Sequence, residues 1–77
     1  MTPADEAVVR HVAASQPTTV RACAEASERS LSATEARIRR LCAAGVLRHE
    51  PRIPRTIRLH PSVVVHEDRV YQLEKMP

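Results

Sequence analysis

The sequence predicts an α+β domain built from three helices followed by two β-hairpins. Three observations carry that expectation. Apolar residues recur at helical spacing around Ala4–Val12, Val20–Ala26 and Thr34–Cys42. The single glycine of the chain, Gly45, directly follows the third stretch, where helices commonly end on a residue with positive φ. Beyond it the pattern changes to short strands with period-two alternation, separated by proline and polar turns.

Helix one is expected over residues 3 to 14. Thr2 is a good N-cap, Pro3 suits the first helical position, and Asp5 and Glu6 complement the helix dipole. Ala4, Val8 and Val12 supply its apolar stripe, with Val9 beside it, and Pro17 restricts Gln16 to extended backbone. Thr18 or Thr19 caps a second helix that turns Val20, Cys23, Ala24 and Ala26 inward and ends between Ala26 and Glu28. Ser27 to Leu31 reads as a short turn, with Leu31 pointing back into the core. Ser32-Ala33-Thr34-Glu35 matches a capping box and opens helix three, residues 32 to 44, which buries Thr34, Ile38, Leu41 and Cys42.

Val46 to His49 and Thr56 to His60 then form a hairpin whose tip, Glu50 to Arg55, is stiffened by Pro51 and Pro54. Alternation puts Ile57 and Leu59 on one face and Arg58 on the other. A second hairpin is expected from Ser62–Val65 and Val70–Leu73 around a His66–Arg69 turn, with a short helix from Asp68 as the alternative. Its strands either complete the monomer core or form a dimer interface.

Seventy-seven residues make one domain, 1–77, and exclude large enzyme folds. The apolar fraction is 43%, much of it alanine and valine, with Tyr71 the only aromatic, so the core is small and marginally stabilising. No stretch is long and apolar enough to span a membrane, and no signal peptide is recognised. Cys23 and Cys42 fall on inward helix faces, as buried small hydrophobes rather than nucleophiles. The expectation is a cytoplasmic protein with reduced thiols. His11, His49, His60 and His66 are scattered without zinc-type spacing, although His49 and His60 could face each other across the first hairpin. One glycine cannot build a phosphate-cradling loop. Neither an enzyme, a cofactor nor a metal site is therefore expected.

Charge is segregated along the chain. Residues 37 to 58 hold Arg37, Arg39, Arg40, Arg48, Arg52, Arg55 and Arg58 against Glu50 alone, a surplus of six positive charges. The remainder has five basic and eight acidic side chains. A basic stripe on an otherwise acidic body is the footprint expected of nucleic-acid binding.

The stretch from Pro17 to His60 resembles the DNA-binding domains of bacterial winged helix-turn-helix regulators. The nearest patterns are the N-terminal domain of the SOS-response repressor and the multiple-antibiotic-resistance type regulators. The likeness is carried by Pro17-Thr18, by Ser32-Ala33-Thr34-Glu35, by Leu41-Cys42-Ala43-Ala44-Gly45-Val46-Leu47 and by the returning strand Arg55-Thr56-Ile57-Arg58-Leu59. Such domains often have a glycine between helices two and three. Here Ser27-Glu28-Arg29-Ser30 has none, so another residue must take any left-handed position.

The resemblance divides the chain into helix one (1–16), a helix-turn-helix (17–45), a wing (46–60) and a C-terminal hairpin or dimerisation extension (61–77). It implies a small transcriptional regulator, a repressor, whose helix 32–44 enters the major groove while the 48–58 wing touches phosphates or the minor groove. On the helical wheel, Ala33, Ala36 and Arg40 lie opposite the inward face, flanked by Ser32, Arg37 and Ala44. Arg37 and Arg40 are then candidates for guanine edges, Arg39 for a phosphate, and Ser32 or Thr34 for a phosphate at the helix start. Arg52 and Arg55 form the basic tip of the wing, and Arg48 and Arg58 its exposed face.

The expected partner is double-stranded DNA, read by a homodimer on two half-sites, with no membrane involved. The competing expectation is a winged-helix adaptor or inhibitor that binds another protein. That reading predicts Arg37 and Arg40 paired with Glu25, Glu28 or Glu35 beside an exposed apolar patch.

Overall fold

The structure, a computed structural model, describes residues 1–73. Helix α1 spans Pro3–Ser15 and is fixed at its start by a complete capping box. The Thr2 hydroxyl accepts from the Asp5 amide at 3.1 Å, and the Asp5 carboxylate accepts from the Thr2 amide at 3.1 Å. The reciprocal pair thus sits at Thr2, not at Ser32. Val8, Val9 and Val12 are buried, as their spacing requires. The chain leaves α1 through extended Gln16 and a cis peptide to Pro17.

Helix α2 covers Val20–Ser27 with Thr19 as its N-cap, the hydroxyl accepting from the Ala22 amide at 3.1 Å. It ends on Glu28 at φ 56° and ψ 37°, whose amide reaches back to the Ala24 and Glu25 carbonyls. The turn that lacks glycine therefore uses glutamate in the left-handed region, at a cost of about 1–2 kcal/mol relative to a comfortable backbone. Only Arg29 separates Glu28 from the next cap. Helix α3 accordingly starts earlier than expected, spanning Leu31–Ala43, with Ser30 as N-cap accepting from Ala33 at 3.2 Å. Two serines compete for the cap, and the short turn selects the first. Ser32 then lies within the first turn, and Glu35 is too far along to reach back. The earlier start also corrects the place of Leu31: at 39% exposure it faces solvent rather than the core.

Gly45 follows α3 at φ 77°, as its position requires. A Cβ there would meet only the Gln72 side-chain nitrogen at 3.5 Å, an ordinary contact, so the backbone alone sets the cost of substitution. Gly45→Ala is expected to destabilise the protein by about 1–2 kcal/mol, read as a lower denaturation midpoint with unchanged slope.

Five short strands complete the fold: β1 (Thr18–Thr19), β2 (Leu47–His49), β3 (Thr56–Leu59), β4 (Val63–Val65) and β5 (Val70–Gln72). β3 is central in an antiparallel sheet of order β1-β3-β2, and β4 and β5 form a separate antiparallel pair. The register sets Leu47 opposite Leu59, Arg48 opposite Arg58 and His49 opposite Ile57. His49 therefore does not face His60, whose amide bonds to the Val46 carbonyl instead. Residues 66 to 69 join β4 and β5 as a turn, so no helix starts at Asp68; Glu74 to Pro77 lie outside the described residues.

The core joins Val8, Val9, Val12, Cys23, Ile38, Leu41, Val46, Leu47 and Ile57. Val63, Val65 and Val70 pack against its margin, so one face of the second hairpin completes the monomer core. Arg10 holds that hairpin to α1, donating to the His66 and Glu67 carbonyls at 2.6 and 3.2 Å while paired with Glu6 at 2.9 Å. Gln72 bonds the Gly45 carbonyl at 2.9 Å, tying β5 to the end of α3. No helix among the described residues is long and apolar enough to cross a membrane.

Candidate functional site

Most of the arginines from the basic segment are exposed, on α3 and on the β2–β3 hairpin. Because Thr34, Ile38 and Leu41 point inward, the outer half of α3 carries small residues and cations. Ser32, Ala33, Arg39, Arg40 and Ala43 are exposed, and Ala36 is half-buried. Short side chains beside two long cations leave the helix backbone approachable by a large flat or grooved partner.

Two members of the expected set are placed elsewhere. Thr34 is 1% exposed, so its hydroxyl is not available to a surface ligand; the hydroxyl points inward without a hydrogen-bond partner. Arg37 turns toward the start of α1. Its guanidinium donates to the Asp5 carboxylate at 2.5 Å and lies 3.4 Å from the Thr2 hydroxyl. Both side chains of that ion pair are 18% exposed. Arg37 is thus a tie between α1 and α3 rather than a free base-reading side chain.

The Asp5 carboxyl registers this environment. Burial pushes its pKa up, but hydrogen bonds from Arg37 and Thr2 and the Arg37 charge outweigh it and hold the carboxyl below its ordinary 3.8. A carboxyl whose folded pKa lies below its unfolded one contributes stability that is fully present above the unfolded value. That contribution is lost as pH falls through the folded value. In an acid titration followed by circular dichroism, the part of the stability that Asp5 supplies should be lost only below about pH 4, and Asp5→Asn should remove that part of the acid limb.

The hairpin formed by β2 and β3 supplies the remaining cations. Arg48, Arg52 and Arg55 are exposed. Arg58 lies opposite Arg48 but is half-buried, with its Nε 3.3 Å from the Glu50 carboxylate. The alignment is too poor for a hydrogen bond, so the contact is an ion pair by proximity. Arg58 therefore does not contribute a free cation to the exposed face. Arg55 adopts φ 61°, a left-handed backbone that a long side chain takes at some cost. Of the seven arginines, five are exposed with no carboxylate partner among the described residues: Arg39, Arg40, Arg48, Arg52 and Arg55.

Between α3, the start of α2 and the hairpin tip lies a half-open groove of about 670 Å³. Val20, Leu31, Ile38 and Cys42 form its apolar lining, and Arg21, Arg39, Arg55 and Glu35 bring charge to it. Burial pushes the Cys42 thiol up, so it stays protonated at neutral pH, 3.9 Å from the His49 ring. Sequence reasoning missed both this groove and Arg21. The available signal was the stripe Leu31, Glu35, Ile38 and Cys42, which follows helical spacing along one flank of α3.

No three histidine, cysteine, aspartate or glutamate side chains converge as metal ligands among the described residues. No protein-family description matches the chain, and comparison with curated proteins and with solved structures finds no match.

Proposed function

We propose that this protein is a small winged-helix DNA-binding module that acts as a transcriptional repressor. In this reading α3 enters the major groove and the β2–β3 hairpin is the wing, which contacts phosphates or the minor groove. The observation that carries it is the set of five exposed arginines without carboxylate partners, on the outer half of α3 and on the adjoining hairpin. Carrying five unpaired cations between residues 39 and 55 of an 8.6 kDa chain costs self-repulsion, which a polyanion relieves. Arg40 is the base-reading candidate on α3, while Arg39, Arg48, Arg52 and Arg55 suit phosphates. Ser32, Ala33 and Ala36 let the helix come close. Two copies on two half-sites would supply the area and symmetry that one module lacks.

The test is fluorescence anisotropy of the protein with random duplex DNA across a range of salt. Four neutralised phosphates at about −0.9 each give a log–log slope of about −3.6. Absence of binding at about 50 mM salt and high micromolar protein would overturn the DNA reading. The adaptor reading calls for Arg37 and Arg40 paired with Glu25, Glu28 or Glu35 beside an exposed apolar patch; the groove along α3 offers apolar surface at Val20, Leu31 and Cys42, but the pairing is not there. Instead Arg37 pairs with Asp5, and Arg40 has no carboxylate partner among the described residues.

A further inference from the structure

We propose that the groove between α3, the start of α2 and the hairpin tip docks an acidic amphipathic helix of a partner protein. The groove has two features that a DNA strand does not use together. Its lining of Val20, Leu31 and Cys42 over the buried Ile38 asks for apolar side chains, whereas a duplex presents only deoxyribose edges and thymine methyl groups between its phosphates. Leu31 is the clearest sign: a leucine at the first position of α3 is left 39% exposed although the core lies one turn away. Around that lining, Arg21, Arg39 and Arg55 stand against Glu35 alone. Glu35 lies one helical turn before Arg39 yet forms no ion pair with it. The groove thus keeps two uncompensated positive charges for an anionic occupant.

Size and shape select among anionic apolar occupants. A volume of about 670 Å³ is within the range of small-ligand sites, but such sites enclose most of their ligand, and this groove is half-open. A helix laid along it buries one face and leaves the other in water, the arrangement of helix-in-groove recognition. Apolar residues spaced i, i+4 and i+7 would meet the lining, and flanking glutamates or aspartates would meet the arginines. Arg39 and Arg55 belong both to this groove and to the DNA-contacting set, so a docked helix would displace DNA. That consequence, unlike the docking itself, rests on the DNA reading above.

The experiment uses the full chain and a fluorescein-labelled helical peptide with leucines at i, i+4 and i+7 and glutamates on both flanks. Binding is followed by anisotropy and by methyl NMR of the protein. The expected result is saturable binding with shifts at the Val20, Leu31 and Ile38 methyl groups. Affinity should fall at least tenfold for Leu31→Ser, at least tenfold when the peptide leucines become serine, and at least tenfold when its glutamates become glutamine. Should Leu31→Ser fail to fold, Leu31→Ala keeps the apolar comparison, and Arg39→Gln tests the charged rim from an exposed position. A leucine-free peptide that binds equally well would reduce the effect to polyanion attraction and overturn the proposal. Methyl shifts produced by decanoate but not by the peptide would make the groove a small-ligand site and also overturn it. Duplex DNA titrated in parallel separates the two readings. Peptide without DNA binding sinks the DNA reading alone, and DNA without peptide binding sinks the docking proposal alone.

Discussion

Ile57→Ala is expected to remove much of the folding stability of the protein. Ile57 is fully buried at the centre of β3, flanked by β1 and β2 and packed in the cluster that includes Val9, Val12, Ile38 and Leu47. Truncating a buried isoleucine to alanine costs about 2–5 kcal/mol, because both transfer energy and packing are lost. At about 0.05–0.15 kcal/mol per residue, a chain of this length has only about 4–12 kcal/mol in total. A loss of that size corresponds to a drop in Tm of roughly 10–30 °C for a domain of this size. Ile57→Val, which removes one methyl group, should cost about 0.5–1.5 kcal/mol. Thermal and urea unfolding followed by circular dichroism distinguish these cases. A shift below about 1 kcal/mol for the alanine variant would contradict the central role of β3 in the core.

The second large effect concerns binding. Changing Arg39, Arg40, Arg48, Arg52 and Arg55 together to glutamine should leave the fold nearly intact, because all five are exposed and make no ion pair among the described residues. The same change should abolish the salt-dependent part of DNA binding. At about −0.9 per contact, the four phosphate-facing arginines weaken the parent protein by roughly 150-fold between 50 and 200 mM salt. The variant should show almost no dependence over that range and at least about 100-fold weaker affinity at 50 mM. Arg37→Gln is the contrasting case. Because Arg37 is tied to Asp5, its loss should lower stability while leaving the salt slope nearly unchanged. A slope that fell by a full contact would return Arg37 to the binding set.

Those contrasts mark where the sequence was readable. Helix positions followed from local signals: Thr2 and Pro3 at the start of α1, Thr18 or Thr19 before α2, and Gly45 after α3. The cap of α3 was ambiguous because Ser30 and Ser32 both lie in the correct neighbourhood. The number of residues left after the Glu28 turn decided between them, and a capping-box match carries no information about that length. Charge segregation pointed to all seven arginines of residues 37 to 58 as a group, including Arg37 and Arg58, which the fold pairs with Asp5 and Glu50. It could not separate Arg37 from Arg40, since both sit on the outer half of the α3 wheel. Only the arrival of Asp5 beside α3, thirty-two positions away in sequence, made that distinction. β1 was invisible for a different reason: two threonines are too short to show any alternation, and their strand character comes from lying beside β3.

That two-residue strand has a mechanical meaning. Thr19 pairs with Thr56 in the sheet while its hydroxyl holds the first turn of α2. Thr56 in turn is the chain neighbour of Arg55 at the hairpin tip. A load applied to the tip therefore passes through one peptide bond and one strand pairing into the start of a helix. The hairpin is thus anchored at its root, where the residue next to its tip pairs with the cap of α2.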